Sequence, residues 1–225
     1  MGTPGNKIGP ETRSRILDAA EALFVEHGLD ATSMRMITAR AEVNLAAVNY
    51  HFGSKDKLIH EVFRRRLAEL NRMRLAALDE MEARARAEER PLKPSQVLEA
   101  FFRPALEMAT DTRHGGHTFM RLLGRTYTEP NSFVRRFLAE EYAETLDRFL
   151  AALYGALPGV SRTEILWRFH FMMGATSYAI AGTDALRLFT GEFDDDAPER
   201  LMPRLMSFLL GGLRAPLPEW KETEE

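Results

Sequence analysis

Cysteine is absent from all 225 residues. That excludes disulfides, thiolate nucleophiles and every cysteine-based metal site, and it fits a reducing compartment. No apolar run approaches the roughly eighteen residues of a membrane span. An excess of positive charge is missing too, because 30 Lys and Arg stand against 33 Asp and Glu, a formal net charge of −3. The chain is therefore no bulk polycation, and any affinity for nucleic acid has to come from a local patch and fitted geometry. There is no phosphate-cradling glycine loop, no H-E-x-x-H and no nucleophile elbow. Strand-like alternation and internal repeats are also lacking. Residues 1–10 are polar and rich in Gly and Pro with no apolar run behind them, so they read as a flexible arm and not a signal peptide. The expectation is a soluble, cytoplasmic protein.

What is present is helical periodicity. With 45% apolar and 28% charged residues the chain has the balance of a folded protein. Ile16, Leu17, Ala20, Leu23 and Phe24 share one face at 3.6-residue spacing, and Gly28 follows where a helix C-cap belongs. A long helix is expected from Lys55 to about Arg90, closed by Pro91 and Pro94. Others are expected near Ser95–Thr110, Thr118–Tyr127, Ser132–Leu153, Arg162–Gly182 and Pro198–Gly212. Breaks fall at Gly115-Gly116, Glu129-Pro130-Asn131, Pro158-Gly159 and Gly191–Asp196. The fold class is all-α, with about nine helices. A composition shift near Asp56 separates a small N-terminal unit from a larger, more apolar one.

Between Thr32 and Phe52 the residues suit two short helices crossing over a tight turn. Thr32 or Ser33 can cap the first and Asn44 the second. Ile37, Ala41, Val43 and Val48 supply apolar contacts, and Ala46 and Ala47 are small enough to approach a surface such as a DNA major groove. Tyr50, His51 and Lys55 can donate to phosphate oxygens. Ser54 can cap the next helix, whose positive end also favours an anion.

Thr32-Ser33, Ile37, Ala41, Val43, Tyr50-His51-Phe52, Gly53-Ser54-Lys55 and Leu58 together resemble the DNA-binding domain of TetR-family bacterial repressors. The resemblance spans about residues 12–60. Two positions depart from it: Thr38 stands for the usual Ala, and Glu42 for the turn Gly. A non-Gly residue held at positive φ there costs on the order of 1 kcal/mol. The resemblance implies a helix-turn-helix domain over 11–54, an effector-binding and dimerisation domain over 55–214, and a polar tail over 215–225. It places Ser33, Arg35 and Asn44–Asn49 at the major groove: Arg35 on guanine O6 and N7, Asn49 on a base or phosphate, and Leu45, Ala46 and Ala47 on thymine methyls. Tyr50, His51 and Lys55 clamp the backbone, while core packing suits Phe52 better. The implied partners are a double-stranded DNA operator, a small-molecule effector and a second copy of the chain. No cofactor or metal is implied.

Large deformable side chains concentrate after residue 100. Any one of them fits plain core filling, but together they suit an elongated apolar cavity. Phe102, Phe119, Met120, Leu123, Tyr127, Phe137, Trp167 and Phe171 are candidate lining residues, and Arg121, Arg125, Arg168 and His170 candidate anchors for a head group. Leu123–Pro130, His170–Met172 and Asn44–Phe52 also resemble a subgroup of fatty-acid-responsive repressors typified by PsrA, which implies a fatty acid or acyl-CoA effector. Gly174, Ala175, Ala179, Ala181 and Gly182, with Leu201, Leu205, Phe208 and Leu209, can form a dimer face or pack inside one chain; the resemblance favours the dimer.

Other readings are less well supported. His114 and His117, or Glu192 with Asp194–Asp196, lack any recognised metal-ligand spacing, so an enzyme is not expected. An architectural protein using the same motif without reading sequence is the alternative to a regulator.

Overall fold

The computed structural model describes residues 9–126, 132–181 and 198–217. Among them nine helices occur: α1 (Pro10–His27), α2 (Met34–Arg40), α3 (Leu45–Phe52), α4 (Lys55–Ala87), α5 (Pro94–Thr110), α6 (Gly116–Thr126), α7 (Ser132–Ala156), α8 (Arg162–Ala181) and α9 (Pro198–Arg214). No strand occurs among the described residues. The expected breaks at Glu129–Asn131 and Gly191–Asp196 lie outside them.

The chain divides into two compact units. The first comprises residues 1–73 and 104–144, the second 74–103 and 145–225. Helices α4, α5 and α7 thus each contribute to both. The unit that holds α1–α3 also takes in the first half of α4 and all of α6.

In the first unit α1 is the hub, packing on α2, α3 and α6. Pro10 starts it at a position whose N–H has no partner in any case. Gly28 ends it at φ 87°, a left-handed value that suits glycine. Its face Ile16, Leu17, Ala20, Leu23 and Phe24 is buried. On α4 and the helices beyond it, Phe63 packs edge-on against Phe119 and Phe137, with centroids 6.0 and 6.4 Å apart.

The second unit is built around Phe101 of α5. Its ring meets Phe102, Phe149 and Phe169, each at 5.0 Å and near-perpendicular. Pro104 interrupts the hydrogen-bond ladder of α5, because it has no N–H to return to the preceding turn. In that turn Arg74, 3% exposed, donates from Nε to the Phe101 carbonyl at 2.9 Å and lies 3.9 Å above the Phe101 ring. The Nε of a buried guanidinium is thus met by a carbonyl at the proline-interrupted stretch.

Phe101→Ala should cost about 3–5 kcal/mol, because three perpendicular ring contacts collapse into a cavity. A fall in the urea midpoint, with an unchanged m-value and native helical circular dichroism, is the expected result.

Candidate nucleic-acid interface

Ser33 begins α2 in extended backbone and accepts from Met36 N–H at 3.3 Å. Thr32, the other candidate cap, is instead buried and donates to the carbonyls of Gly28 at 2.8 Å and Leu23 at 3.1 Å, tying α2 to the end of α1. The helix ends in a Schellman arrangement: Val43 N–H returns to Thr38 O at 3.0 Å and Glu42 N–H to Ala39 O at 3.3 Å. That pattern requires a left-handed residue between them, and Glu42 takes it at φ 52°. The departure from Gly read in the sequence is therefore a real backbone constraint, worth about 1 kcal/mol. Asn44 then caps α3, its Oδ1 accepting from Ala47 N–H at 2.8 Å. Gly53 closes α3 and Ser54 accepts from Lys57 N–H at the start of α4.

The eight residues of α3 sort onto two faces. Leu45, Ala46, Asn49 and Tyr50 point outward, with Leu45 46% and Tyr50 74% exposed. Val48 and Phe52 point into the module. Ala47 joins them at 1% exposure, which corrects its expected contact with a thymine methyl: its methyl is core, and its amide is the one Asn44 caps. The Arg35 side chain is exposed and makes no hydrogen bond or ion pair among the described residues, while its carbonyl accepts from Thr38 Oγ1 at 2.8 Å. His51 is half-buried beside the Tyr50 and Phe52 rings, and its Nε2 is buried without a partner. A phosphate contact through Nε2 requires the ring to turn. Lys55 Nζ, 3.0 Å from the Asp30 carbonyl, lies at the junction of α3 and α4.

Two residues that the sequence did not single out hold this turn against α1. Arg40 places Nη1 2.7 and 2.6 Å from both Glu26 oxygens, and that hydrogen-bonded guanidinium keeps the Glu26 carboxyl below the usual carboxylate range. Arg15 donates to the carbonyls of Ala41 and Glu42. On a helix face either reads as an ordinary solvated arginine; only the missing turn glycine hints that something must brace the turn.

Elsewhere in the first unit, Glu21 is 2% exposed and is met by Arg65 Nη2 at 2.9 Å and Arg66 Nε at 3.2 Å. Arg125 of α6, an expected head-group anchor, donates to Val25 O at 2.6 Å, which ties it to the end of α1. Arg121 is exposed. Phe119, Met120, Leu123 and Phe137 are buried in this unit, and Phe102 in the second. Tyr127 lies outside the described residues. A groove of about 420 Å³ in the second unit, between Lys93, Leu157, Val160, Leu210 and Arg214, contains none of these. Arg168, which does line it, is occupied by Glu164 and the Leu213 carbonyl.

Trp167 and Phe171, expected to line a cavity, and His170, expected to anchor a head group, stand on the outer face of α8. Trp167 is 54% exposed, Phe171 63% and Tyr178 64%, with Phe208 of α9 at 68%. Leu205 and Leu209, expected at a dimer face, are buried within the chain. His114, once weighed as a metal ligand, pairs with Asp111 at 3.1 Å. Backbone and side-chain hydrogen bonds from His114 hold the Asp111 carboxyl below its ordinary range.

A capped seven-residue helix, a left-handed turn and a second helix presenting four adjacent side chains outward define a helix-turn-helix DNA-binding module. The family models agree. Residues 16–62 match the bacterial regulatory proteins of the tetR family, and residues 99–212 match the tetracyclin repressor-like C-terminal domain. The chain belongs to the TetR family, whose members are transcriptional regulators and not enzymes. Over 52 residues it is 50% identical to an HTH-type transcriptional repressor of Mycobacterium tuberculosis, a stretch covering 23% of this chain and 28% of that one. It is 42% identical over 59 residues to the dual regulator CecR of Shigella flexneri, 26% of each protein. The matched stretch spans only about a quarter of these curated relatives. Among solved structures, the fatty acid degradation regulator FadR from Bacillus halodurans superposes with a TM-score of 0.63 at 15% identity, covering 92% of this chain and 98% of that one. The ketosteroid transcriptional regulator KstR2 of Mycobacterium tuberculosis gives 0.60 at 19% identity, covering 89% and 93%. No helix among the described residues is long and apolar enough to cross a membrane.

Asn44→Ala should destabilise the module by about 1 kcal/mol through the lost α3 cap. Thermal melting should show a lower midpoint for it than for Asn49→Ala, an outward residue on the same helix.

Proposed function

We propose that the protein is a homodimeric transcriptional repressor that reads a palindromic operator with α2 and α3 and is released by a small apolar effector. The observation that carries the DNA reading is the outward face of α3. Leu45, Ala46, Asn49 and Tyr50 lie side by side beyond an exposed, uncommitted Arg35. Arg35 supplies the bidentate donor that guanine O6 and N7 accept, and Leu45 and Ala46 supply apolar contact for thymine methyls. Ser33, Asn44, Tyr50, His51 and Lys55 fix the register on the backbone. The overall acidity of the chain leaves this local geometry to supply the affinity.

A second copy of the chain is the occupant we assign to the outer face of α8. Trp167, Phe171 and Tyr178 recur there at helical spacing beside exposed Gly174, while Phe169, Met172 and Ile180 are buried on the inner face. A helix apolar all round is covered on both sides. Two-fold pairing also answers a need of the DNA site, since it presents two recognition helices about one duplex turn apart.

For the effector, buried Phe119, Met120, Leu123 and Phe137 supply the apolar chemistry an acyl chain needs. FadR, named for fatty acid degradation, and a neighbour solved as a SmeT–triclosan complex have the same fold. α6 reaches α1 directly through Arg125 and Val25, so a ligand that moves α6 biases the reading module.

Selection of bound duplexes from random DNA should return a palindrome, and acyl compounds of some chain length should release it; recovery of unrelated sequences would refute the operator reading. On the selected site Arg35→Ala should weaken binding about 5- to 100-fold and relax one base position, whereas Lys55→Ala should weaken all sequences nearly equally and lower the salt slope by about one. Phe171→Glu should sediment as a monomer and bind the full palindrome no better than a half-site. A dimer persisting in that variant would remove α8 from the interface.

A further inference from the structure

Arg15 sits on α1, eighteen residues before Ser33, the first residue that the DNA reading uses. Its Nε and Nη2 donate to the Ala41 carbonyl at 3.2 and 2.6 Å, and Nη2 also donates to the Glu42 carbonyl at 2.9 Å. One planar fork therefore bridges the two consecutive carbonyls that leave α2. These lie at the negative end of that helix, where a cation is favoured. The second of them belongs to Glu42, held at φ 52° between the two Schellman hydrogen bonds.

We propose that Arg15 is a positioning residue for operator reading. By clamping the Ala41–Glu42 turn, it fixes the direction in which α3 leaves α2. This role for Arg15 rests on the DNA-reading role of α2 and α3 proposed above. A glycine at position 42 would hold the left-handed conformation at no steric cost; glutamate drifts from it unless something external holds it. The turn is short, with Ala41, Glu42 and Val43 followed directly by the Asn44 cap. Any relaxation of Glu42 therefore turns the whole of α3, and base contacts tolerate little misplacement because hydrogen bonds weaken steeply off their preferred geometry. Lysine replaces the clamp only in part, since its ammonium has no second nitrogen to repeat the Nε contact on Ala41 O and no planar geometry to fix the direction of the pair. Arg40, bound to Glu26, also ties the last turn of α2 to α1, so the freedom left in the motif is concentrated at Glu42.

The test titrates two duplexes of equal length, the selected operator and a scrambled version, with wild type, Arg15→Ala, Arg15→Lys, Glu42→Gly and Arg15→Ala/Glu42→Gly. All titrations run well below each variant's melting temperature. Arg15→Ala should lose about tenfold on the operator while keeping its affinity for the scrambled duplex, as expected for losing charge-assisted hydrogen bonds that act through geometry. Arg15→Lys should fall between the two and covers the case in which the alanine variant does not fold. Glu42→Gly alone should bind like wild type, and adding it to Arg15→Ala should restore most of the loss. The proposal is overturned if Arg15→Ala keeps the wild-type preference, or if the double variant binds no better than Arg15→Ala. Equal losses on both duplexes with a smaller salt slope would also overturn it, by making Arg15 a phosphate contact. A wild type that shows no preference between the duplexes overturns the operator reading itself; a preference that Arg15→Ala shares in full overturns this proposal alone.

Discussion

A helix of seven residues and one of eight are too short to persist in water unaided, so the reading module depends on the apolar face of α1. The balance is narrow. α2 buries only Ile37, and α3 only Ala47, Val48 and Phe52. So little burial leaves α2 reliant on polar devices at its ends: the Ser33 cap, the buried Thr32 hydroxyl on the Leu23 and Gly28 carbonyls, and the Arg15 and Arg40 side chains at the far end. Each works because α1 is a rigid surface already in place.

α1 is itself fastened by charge. Glu21 is nearly dehydrated, and two guanidiniums of α4 converge on it. Such a cluster is weak evidence for stability, because desolvation offsets most of the attraction. Its consequence is orientation: with Glu21 buried, withdrawing both arginines leaves an uncompensated charge, so α1 and the first half of α4 have one favoured register. Arg125 adds a link from α6 to the last turn of α1. The helix that supports the reading module is thus also the one that other helices of its unit hold.

Helix number and bounds were legible because 3.6-residue periodicity and Gly or Pro stops coincide over most of the chain. Gly28, Asn44 and Gly53 cap where their side chains or backbone freedom require. The strain at Glu42 was legible as well, since it follows from one substitution in a motif. The faces of α3 were read less well, because Ala46 and Ala47 are the same residue and only packing tells which methyl is outside. Arg15, Arg40 and Arg125 were not legible as braces: each acts on a backbone carbonyl or carboxylate 14 to 100 residues away, and no local pattern encodes that partner. The aromatic residues after Arg90 divide for a related reason, with Phe102, Phe119 and Phe137 buried and Trp167 and Phe171 exposed. Periodicity says that a ring is on a face, and α8 has apolar residues on both.

That ambiguity in α8 has a physical resolution. Phe169 and Met172 are buried by their own chain, whereas Trp167 and Phe171 stack at 5.6 Å on the surface. Rings grouped in this way keep a mutual contact but leave most of their area in water, and contiguous exposed apolar area of this kind marks a contact surface. The requirement meets one from the other end of the chain. Eight residues of α3 extend only about 12 Å at 1.5 Å per residue, enough for a few base pairs. An operator unique among many competing sites requires more contacts than one such helix makes. A surface that calls for a second copy and a reading helix that needs a second half-site have the same answer, so the proposed dimer would also be the source of sequence specificity.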